Sequence, residues 1–465
     1  MLAFLLGSPR SHGFALKGPP DTTYQTGALN YDGLAAPQMI GEEYRWNVPI
    51  LTYGFDTAFI NYFGTNGIRA IEGAFRQIND FPAVSLVTDA VLTNNFPLNS
   101  QGNNPTAATL LIQDIRSRML TILVQYMGLT DAERFTWCLR NRWISPGGAP
   151  TNYIVIQRNW DPITRIYSDT VNGQRLGYQV RDLNAATSDA IETTAGAGGF
   201  FLGVQGRSVS SQLSQNFGGS FSSLTYDDAG GFRYLYATNN FNTENLLPTV
   251  AVTATAAATA TGSPWSPVGV TNILTVVGSG AVNTAVRGGI DKVTFVRVDF
   301  DSLLGIGFAG VTNTWTDQYI PSSSQTTVLQ SQALARPIVR PDIIISAADL
   351  GLIAGQIPVE ISRVDGNFIN NDGINGLSGQ NGPGLLTVPF QLRVDFTTQL
   401  PYYLAVDPTS LVGPPVFGTA NWSFLYSGVW GWFDDTTIHQ VFPVFLNLQV
   451  ADLERMIIEA RSPIQ

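Results

Sequence analysis

The chain has 465 residues, a formal net charge of −10 at pH 7 and only 13% charged residues, against about 25% in an average soluble protein. Lysine occurs only at Lys17 and Lys292. With no clustered cations to displace counterions from a phosphate backbone, nucleic-acid binding is excluded.

So little charge fits a protein that buries much of its outside in an assembly or works outside the cell. The length allows two or three domains with real cores. Cys138 is the lone cysteine, so there is neither an intrachain disulfide nor a cysteine metal site, and its expected place is a buried apolar position. No stretch approaches the roughly 18 uninterrupted apolar residues of a transmembrane helix.

Residues 1–20 read as an apolar N-terminal arm or the remnant of a leader. Leu2, Phe4, Leu5, Phe14 and Leu16 are its apolar residues. Residues 21–185 read as an α+β region. "YRWNVPILTYGFD" (Tyr44–Asp56) has the content of a strand. A helix is predicted over Asn66–Asn79, with Ile68, Ile71, Phe75 and Ile78 on one face. A second is predicted from Pro105 to Met127, capped by Gly128. A third should start at Thr130, where Thr130 and Glu133 match a capping box. "NYIVIQRNWD" and "RLGYQVRDL" read as strands, and Asn172-Gly173 between them is a hairpin turn signal.

Residues 186–248 read as a Gly/Ser-rich loop with strands. Residues 249–465 read as a mostly β region ending in a short helix around Leu453–Ala460. In "TVAVTATAAATATG" (Thr249–Gly262), Val250, Val252 and the alanines fall on one parity and the threonines on the other. That order fits a long flat strand or an exposed linker. "KVTFVRVDF" (Lys292–Phe300) and "LTVPFQLRVDF" (Leu386–Phe396) read as strands. The second should lie at or start from a sheet edge, because Pro389 cannot donate to a ladder. "RVDF" occurs in both and hints at paired or duplicated strands. The fold class is α+β, mostly β: antiparallel sheets or a β-sandwich with an N-terminal helix-containing region.

Catalytic constellations are missing from the sequence. With His12 and His439 the only histidines, the triads and zinc sites built on histidine lack their parts. His439 reads as a structural imidazole in a strand. No Walker loop, G-x-S-x-G or H-E-x-x-H motif occurs. Asp227-Asp228, Glu42-Glu43 and Asp434-Asp435 offer carboxylates for glycosidase chemistry, but solvated loops are the expected setting. Asp365, Asn367, Asn370 and Asp372 form a candidate calcium loop that lacks EF-hand spacing, and a plain Asx/Gly surface loop is the preferred reading. Trp422, Trp430 and Trp432 are candidate stacking platforms for a glycan, with core packing their ordinary role. The sequence therefore points to no enzyme and to no cofactor.

"VPILTYGFD" followed by "GIRAIEGAFRQIND" resembles the first strand and helix of metzincin-type proteases, without their zinc-binding helix. A wider resemblance covers most of the chain. "GEEYRWNVPILTYGFDTAFINYFGTNGIRAIEGAFRQINDFP", "RPDIIISAADLG", "NNDGINGLSGQNGPG" and "GVWGWFDDTT" look like motifs of a family of exported proteins from environmental, Verrucomicrobia-like bacteria. The chain also resembles subunits of helical filaments found in natural fresh water. This resemblance implies an extracellular or cell-surface homopolymer whose partner is the chain itself, joined by strand or arm exchange. Leu2, Phe4, Leu5, Phe14, Leu16, Val250 and Val252 are the candidate assembly residues. The alternatives are a secreted glycan-binding protein or a virion or phage surface protein.

Overall fold

The computed structural model describes residues 12–17, 37–38, 40, 45–110, 112–144, 150–184, 187–194, 206–211, 217–247, 250–252, 281–301, 306–307, 311–321, 328–348, 359–362, 392–397, 400–403, 425–433 and 439–441. It is α+β with mostly strands, several antiparallel sheets and few helices. In chain order the elements that matter begin with β1 (Phe14–Lys17), β2 (Ile50–Phe55), α1 (Thr57–Asp80) and α2 (Ile115–Tyr126). Then come β3 (Leu129–Thr130), β4 (Asn159–Trp160), β5 (Gln174–Asn184) and α3 (Tyr226–Leu235). The next are β6 (Asn242–Asn245), β7 (Ala251–Val252), β8 (Thr284–Arg287) and β9 (Thr294–Arg297). Last are β10 (Val311–Pro321), β11 (Gln330–Ile338), β12 (Ile343–Ala348), β13 (Val359–Ser362), β14 (Leu392–Thr397) and β15 (Leu425–Phe433).

One five-stranded sheet has the order β9-β2-β12-β14-β13 and is parallel except for β13. Parallel strands need a crossover, and α1 supplies it directly after β2. Asp56 closes the helix start by accepting from Phe59 N at 2.9 Å, which satisfies an amide that has no partner within the helix. Phe59, Phe63, Ala70, Ile71, Ala74, Phe75 and Ile78 of α1 are buried. The Phe75 ring lies flat on Tyr53 of β2 with centroids 3.6 Å apart. The helix begins nine residues before its expected start at Asn66, and non-helical Gly64 breaks its first part.

Both "RVDF" strands lie in this sheet, but β9 pairs with β2 while β14 sits between β12 and β13. They are not paired with each other, and over Leu392–Thr397 the second is interior, not an edge. Pro389 lies outside the described residues.

A second five-stranded sheet, β6-β8-β10-β11-β7, is antiparallel. Its buried Arg287 and Glu244 are held in ion pairs. Arg287 Nε lies 3.0 Å from both oxygens of Asp317. Arg45 donates to Glu244 at 2.7 Å and to the carbonyls of Leu235 and Arg287.

Two helix expectations are corrected. The span from Pro105 to Met127 is not one helix. It divides into Pro105–Thr109, a short strand Ile112–Asp114 and α2. The short strand pairs in parallel with β15, and Asp114 restarts the helix by accepting from Ser117 N at 3.0 Å. No helix starts at Thr130. Residues Leu129–Thr130 pair instead with β1, and Glu133 turns away from Thr130 to serve a distant loop.

The Asn172-Gly173 turn is present, with φ 44° and 74° joining Thr170–Val171 to β5. Helix α3 was not expected in a Gly/Ser-rich stretch. Its Gly231 packs closely, since an added Cβ would sit 2.8 Å from a Leu129 methyl, which would have to shift, and 3.1 Å from Phe14 Cβ.

Candidate functional site

Strand β10 alternates cleanly. Thr312, Thr314, Thr316 and Gln318 are exposed while Asn313, Asp317 and Tyr319 are buried. Its partner β11 is unlike the other sheet strands at its start: Gln330, Ser331 and Ala333 are exposed, and so are Val328 (63%) and Leu329 (47%) just before it. Val339, just past its other end, is 45% exposed. Large apolar side chains therefore flank both ends of one strand. Among the described residues the outer edge of β11 is paired only where β7 meets it, Val252 opposite Leu334 and Ala251 opposite Ala335. Pro337 has no N–H to offer a neighbour. An edge with few strand partners among the described residues, beside exposed apolar side chains, is a surface suited to receiving another strand.

The edge of the other sheet is treated differently. The side-chain amide of Asn79 donates to the carbonyl of Phe295 and accepts from its N–H, both at 2.8 Å. One side chain thus occupies the hydrogen-bonding groups of Phe295 on the outer side of β9, as a strand would.

A buried polar cluster forms a second candidate. Glu133 Oε1 accepts from Arg207 N and Ser208 N at 2.6 and 2.8 Å. Asp228 accepts from Val209 N at 2.8 Å and Ser210 N at 3.2 Å, and it closes the capping box with Thr225. Asp131 accepts from Ser211 Oγ at 3.1 Å. Four successive loop amides and a hydroxyl are thereby satisfied by three carboxylates. On the N-terminal side, Asp161 Oδ2 accepts from His12 N at 3.2 Å, and Gly13 N–H donates to Asp227. The His12 ring packs on Tyr226 at 4.2 Å, with Nδ1 3.8 Å from Asp227 Oδ1. Asp227 also accepts from Asn172 N. The expected solvated loop for Asp227-Asp228 is overturned, since both are buried to 1% or less.

Burial dominates the chemistry of these acids. It pushes the Glu133 carboxyl up to about 8, with the Asp131 charge adding to the effect. Burial also raises Asp227 and Asp228, and it lifts Asp114 to about 6. From the ordinary glutamate value of 4.5 up to about 8, folded Glu133 keeps a proton that the unfolded chain has released. Stability therefore falls as pH rises through that window. Urea unfolding is expected to give a free energy roughly 2–4 kcal/mol lower at pH 8 than at pH 5. A flat or rising profile would contradict the assignment.

The acids of this cluster hold backbone amides of two distant segments, and among the described residues no three His, Cys, Asp or Glu side chains are grouped to hold a metal ion. A separate, small apolar hollow is lined by Ile78, Phe81, Val84, Met127, Phe232 and Ile290, among others. Lys292 at its rim donates Nζ to the carbonyls of Asn79 and Phe81, which closes the end of α1.

Of the residues singled out in the sequence, Phe14 and Leu16 are buried in the chain's own core, where β1 pairs with β3, β4 and Pro37–Gln38. Val250 and Val252 are half-buried at the β11 edge. Trp430 is core, 1% exposed and edge-on to Phe396, while Trp432 is half-buried. Cys138 and His439 lie in paired strands. Leu2, Phe4, Leu5, Glu42, Glu43, Asp365, Asn367, Asn370, Asp372, Trp422, Asp434, Asp435 and the C-terminal helix lie outside the described residues, as does most of Thr249–Gly262. The β11 edge and its flanking Val328, Leu329 and Val339 were not found from sequence. "TTVLQSQ" carried the signal, two large apolar residues in an otherwise polar run.

Comparison with known proteins finds no matching family model, no matching curated protein and no matching solved structure. Among the described residues no helix is long and apolar enough to cross a membrane.

Proposed function

We propose that this chain is a structural subunit of an extracellular homopolymer, joined by a strand added to the edge of β11. The observation that carries this reading is the β11 edge, paired at two positions among the described residues and flanked by Val328, Leu329 and Val339. Strand addition draws affinity from backbone hydrogen bonds and specificity from the flanking side chains. A head-to-tail contact that does not close generates a filament.

The pairing already present supplies the register. Ala251 opposite Ala335 and Val252 opposite Leu334 show the antiparallel register that a donor strand would follow along β11. The Thr/Ala segment of a neighbouring copy is the donor we favour. Phe14 and Leu16 already have seats on their own chain, so donation by the N-terminal arm would require exchange.

The test is negative-stain microscopy of the wild type beside Ala333→Pro and the pair Val328→Asp with Leu329→Asp. Long uniform fibres are expected for the wild type alone, with the far-ultraviolet spectrum of the variants unchanged. Monodisperse wild-type particles would reject the assembly reading. Fibres formed equally by the variants would reject the β11 joint.

A glycan-binding role is the second reading, and it moves from Trp430 to another ring pair. Trp137 and Tyr178 lie 5.1 Å apart, with Tyr178 48% exposed and the Trp137 indole held by the Leu176 carbonyl. Retention on a polysaccharide column that Tyr178→Ala abolishes would favour it.

A further inference from the structure

Four exposed large apolar side chains stand on two linked turns. Ile163 (44%), Ile166 (66%) and Tyr167 (48%) belong to the turn 161–168. Arg233 ties that turn to the one carrying Leu86 (65% exposed), because its guanidinium donates to the carbonyls of Pro162 and Val87, both at 3.3 Å. The turn is firmly held. Asp161 Oδ1 accepts from Ile163 N at 2.9 Å, Thr164 N at 2.7 Å and Thr164 Oγ1 at 3.1 Å. Arg165 sits at φ 59°, a value side chains seldom adopt, with its guanidinium 5.1 Å from the centre of the Tyr234 ring. Tyr167 bridges back to Trp160 of β4, their rings 5.8 Å apart. Covering a preformed patch costs it little backbone freedom, and exposed apolar patches rimmed by polar groups mark contact sites.

The start of the chain arrives at this same turn. His12 N donates at 3.2 Å to Asp161 Oδ2, on the carboxylate whose other oxygen holds Ile163. Gly13 approaches closely, since an added Cβ would lie 2.8 Å from the Thr170 carbonyl oxygen. The other end of β1 is tied elsewhere, with Lys17 N donating to the Gly128 carbonyl. The sequence that precedes His12 is the apolar run Leu2–Leu6 followed by a polar Gly-Ser-Pro-Arg-Ser. Fully extended, the stretch from Leu6 to His12 spans roughly 20 Å, ample for a patch that begins two residues past Asp161.

We propose that Ile163, Ile166, Tyr167 and Leu86 form the docking site for the apolar segment Leu2–Leu6 of the same chain. Attachment at Asp161 through a short linker gives that segment a high effective concentration at the patch. The same segment of a neighbouring copy competes only at comparable protein concentrations. Docking is a property of the single chain and stands apart from the assembly reading. Where both hold, the arm is occupied at home and the β11 edge is left as the joint.

Tyrosine nitration of the full chain with tetranitromethane tests it. Tyr167 and Tyr178 are both 48% exposed, so an empty site should leave them reacting at comparable rates. With Leu2–Leu6 docked, Tyr167 is expected to react at least about fivefold more slowly than Tyr178, read by mass spectrometry of the two peptides. Phe4→Asp with Leu5→Asp should bring the two rates together. Equal rates in the wild type would overturn the proposal, and so would protection of Tyr167 that the double variant leaves intact. Photoreactive benzoylphenylalanine in place of Phe4, in an equal mixture of isotopically light and heavy chains, identifies where the segment comes from. Cross-links to the Ile163–Tyr167 peptide within one chain are expected, and cross-links mainly between chains would overturn docking on the same chain. Repeating the nitration with Ala333→Pro keeps the result independent of the β11 joint. Fibres with equal tyrosine rates would leave the assembly reading standing and the docking rejected, and the converse holds as well.

Discussion

Replacing Arg45 by methionine is expected to lower the unfolding free energy by about 3–5 kcal/mol. Arg45 and Glu244 have side chains only 1% and 4% exposed and meet at 2.7 Å. The guanidinium also donates to the carbonyls of Leu235 and Arg287, at 2.8 and 3.1 Å, so it ties the end of α3 to β8. Its removal leaves a buried carboxylate facing two carbonyl oxygens. Burial raises the Glu244 carboxyl and the Arg45 charge pulls it back down, so Arg45→Met should bind a proton on folding near neutral pH. The double variant Arg45→Met with Glu244→Leu should be less destabilised than the single one, since no charge is left stranded. Chemical denaturation of all four members of the cycle measures this. An additive cycle would mean that the two side chains do not act as a pair.

The second large effect is expected at Gly288, the residue after β8. A Cβ there would lie 2.0 Å from the backbone oxygen of Thr238 and 2.9 Å from its carbonyl carbon. Those are main-chain atoms of the turn that closes α3, where Asn240 N and Gly289 N both donate to the Ala237 carbonyl. No rotamer change relieves such a contact, so Gly288→Ala should cost about 3 kcal/mol or more, at the top of the overpacking range. Gly64 is the useful contrast. Its φ is +60° but nothing lies within 4 Å of an added Cβ. Its ψ of −158° places it in a region essentially reserved for glycine, so Gly64→Ala should cost only the backbone strain, about 1–3 kcal/mol. Equal melting temperatures for the two variants would refute the steric account.

What could be read from the sequence was local. Asn172-Gly173 adopts the positive φ values its residue types permit, and the stripe Ile71, Phe75, Ile78 of α1 faces the core. These signals are complete within a few neighbouring residues. Thr130 and Glu133 show where local pattern misleads. The spacing matches a capping box, but Glu133 finds better donors in Arg207 N and Ser208 N, some seventy-five positions away. Asp227-Asp228 misled in the opposite way, since paired acids in a loop-like stretch read as solvated. Their partners lie at Gly13, Asn172, Val209 and Ser210, and no window of the sequence brings those together. Helix α3 did carry a local sign, the Thr225–Asp228 box, masked by two glycines whose purpose is close packing. The β11 edge was illegible because an edge is defined by what fails to pair with it.

The anchoring of β1 also sets an order of events during synthesis. His12 and Gly13 leave the ribosome early, yet the carboxylates that receive their amides belong to Asp161 and Asp227. At roughly 5–20 residues per second, the wait for Asp227 is on the order of 10–40 s. Until then β1 can meet only its strand partners Pro37–Gln38, Leu129–Thr130 and Asn159–Trp160. The anchoring of His12 and Gly13 is thus completed only once Asp227 has emerged, more than two hundred residues after them.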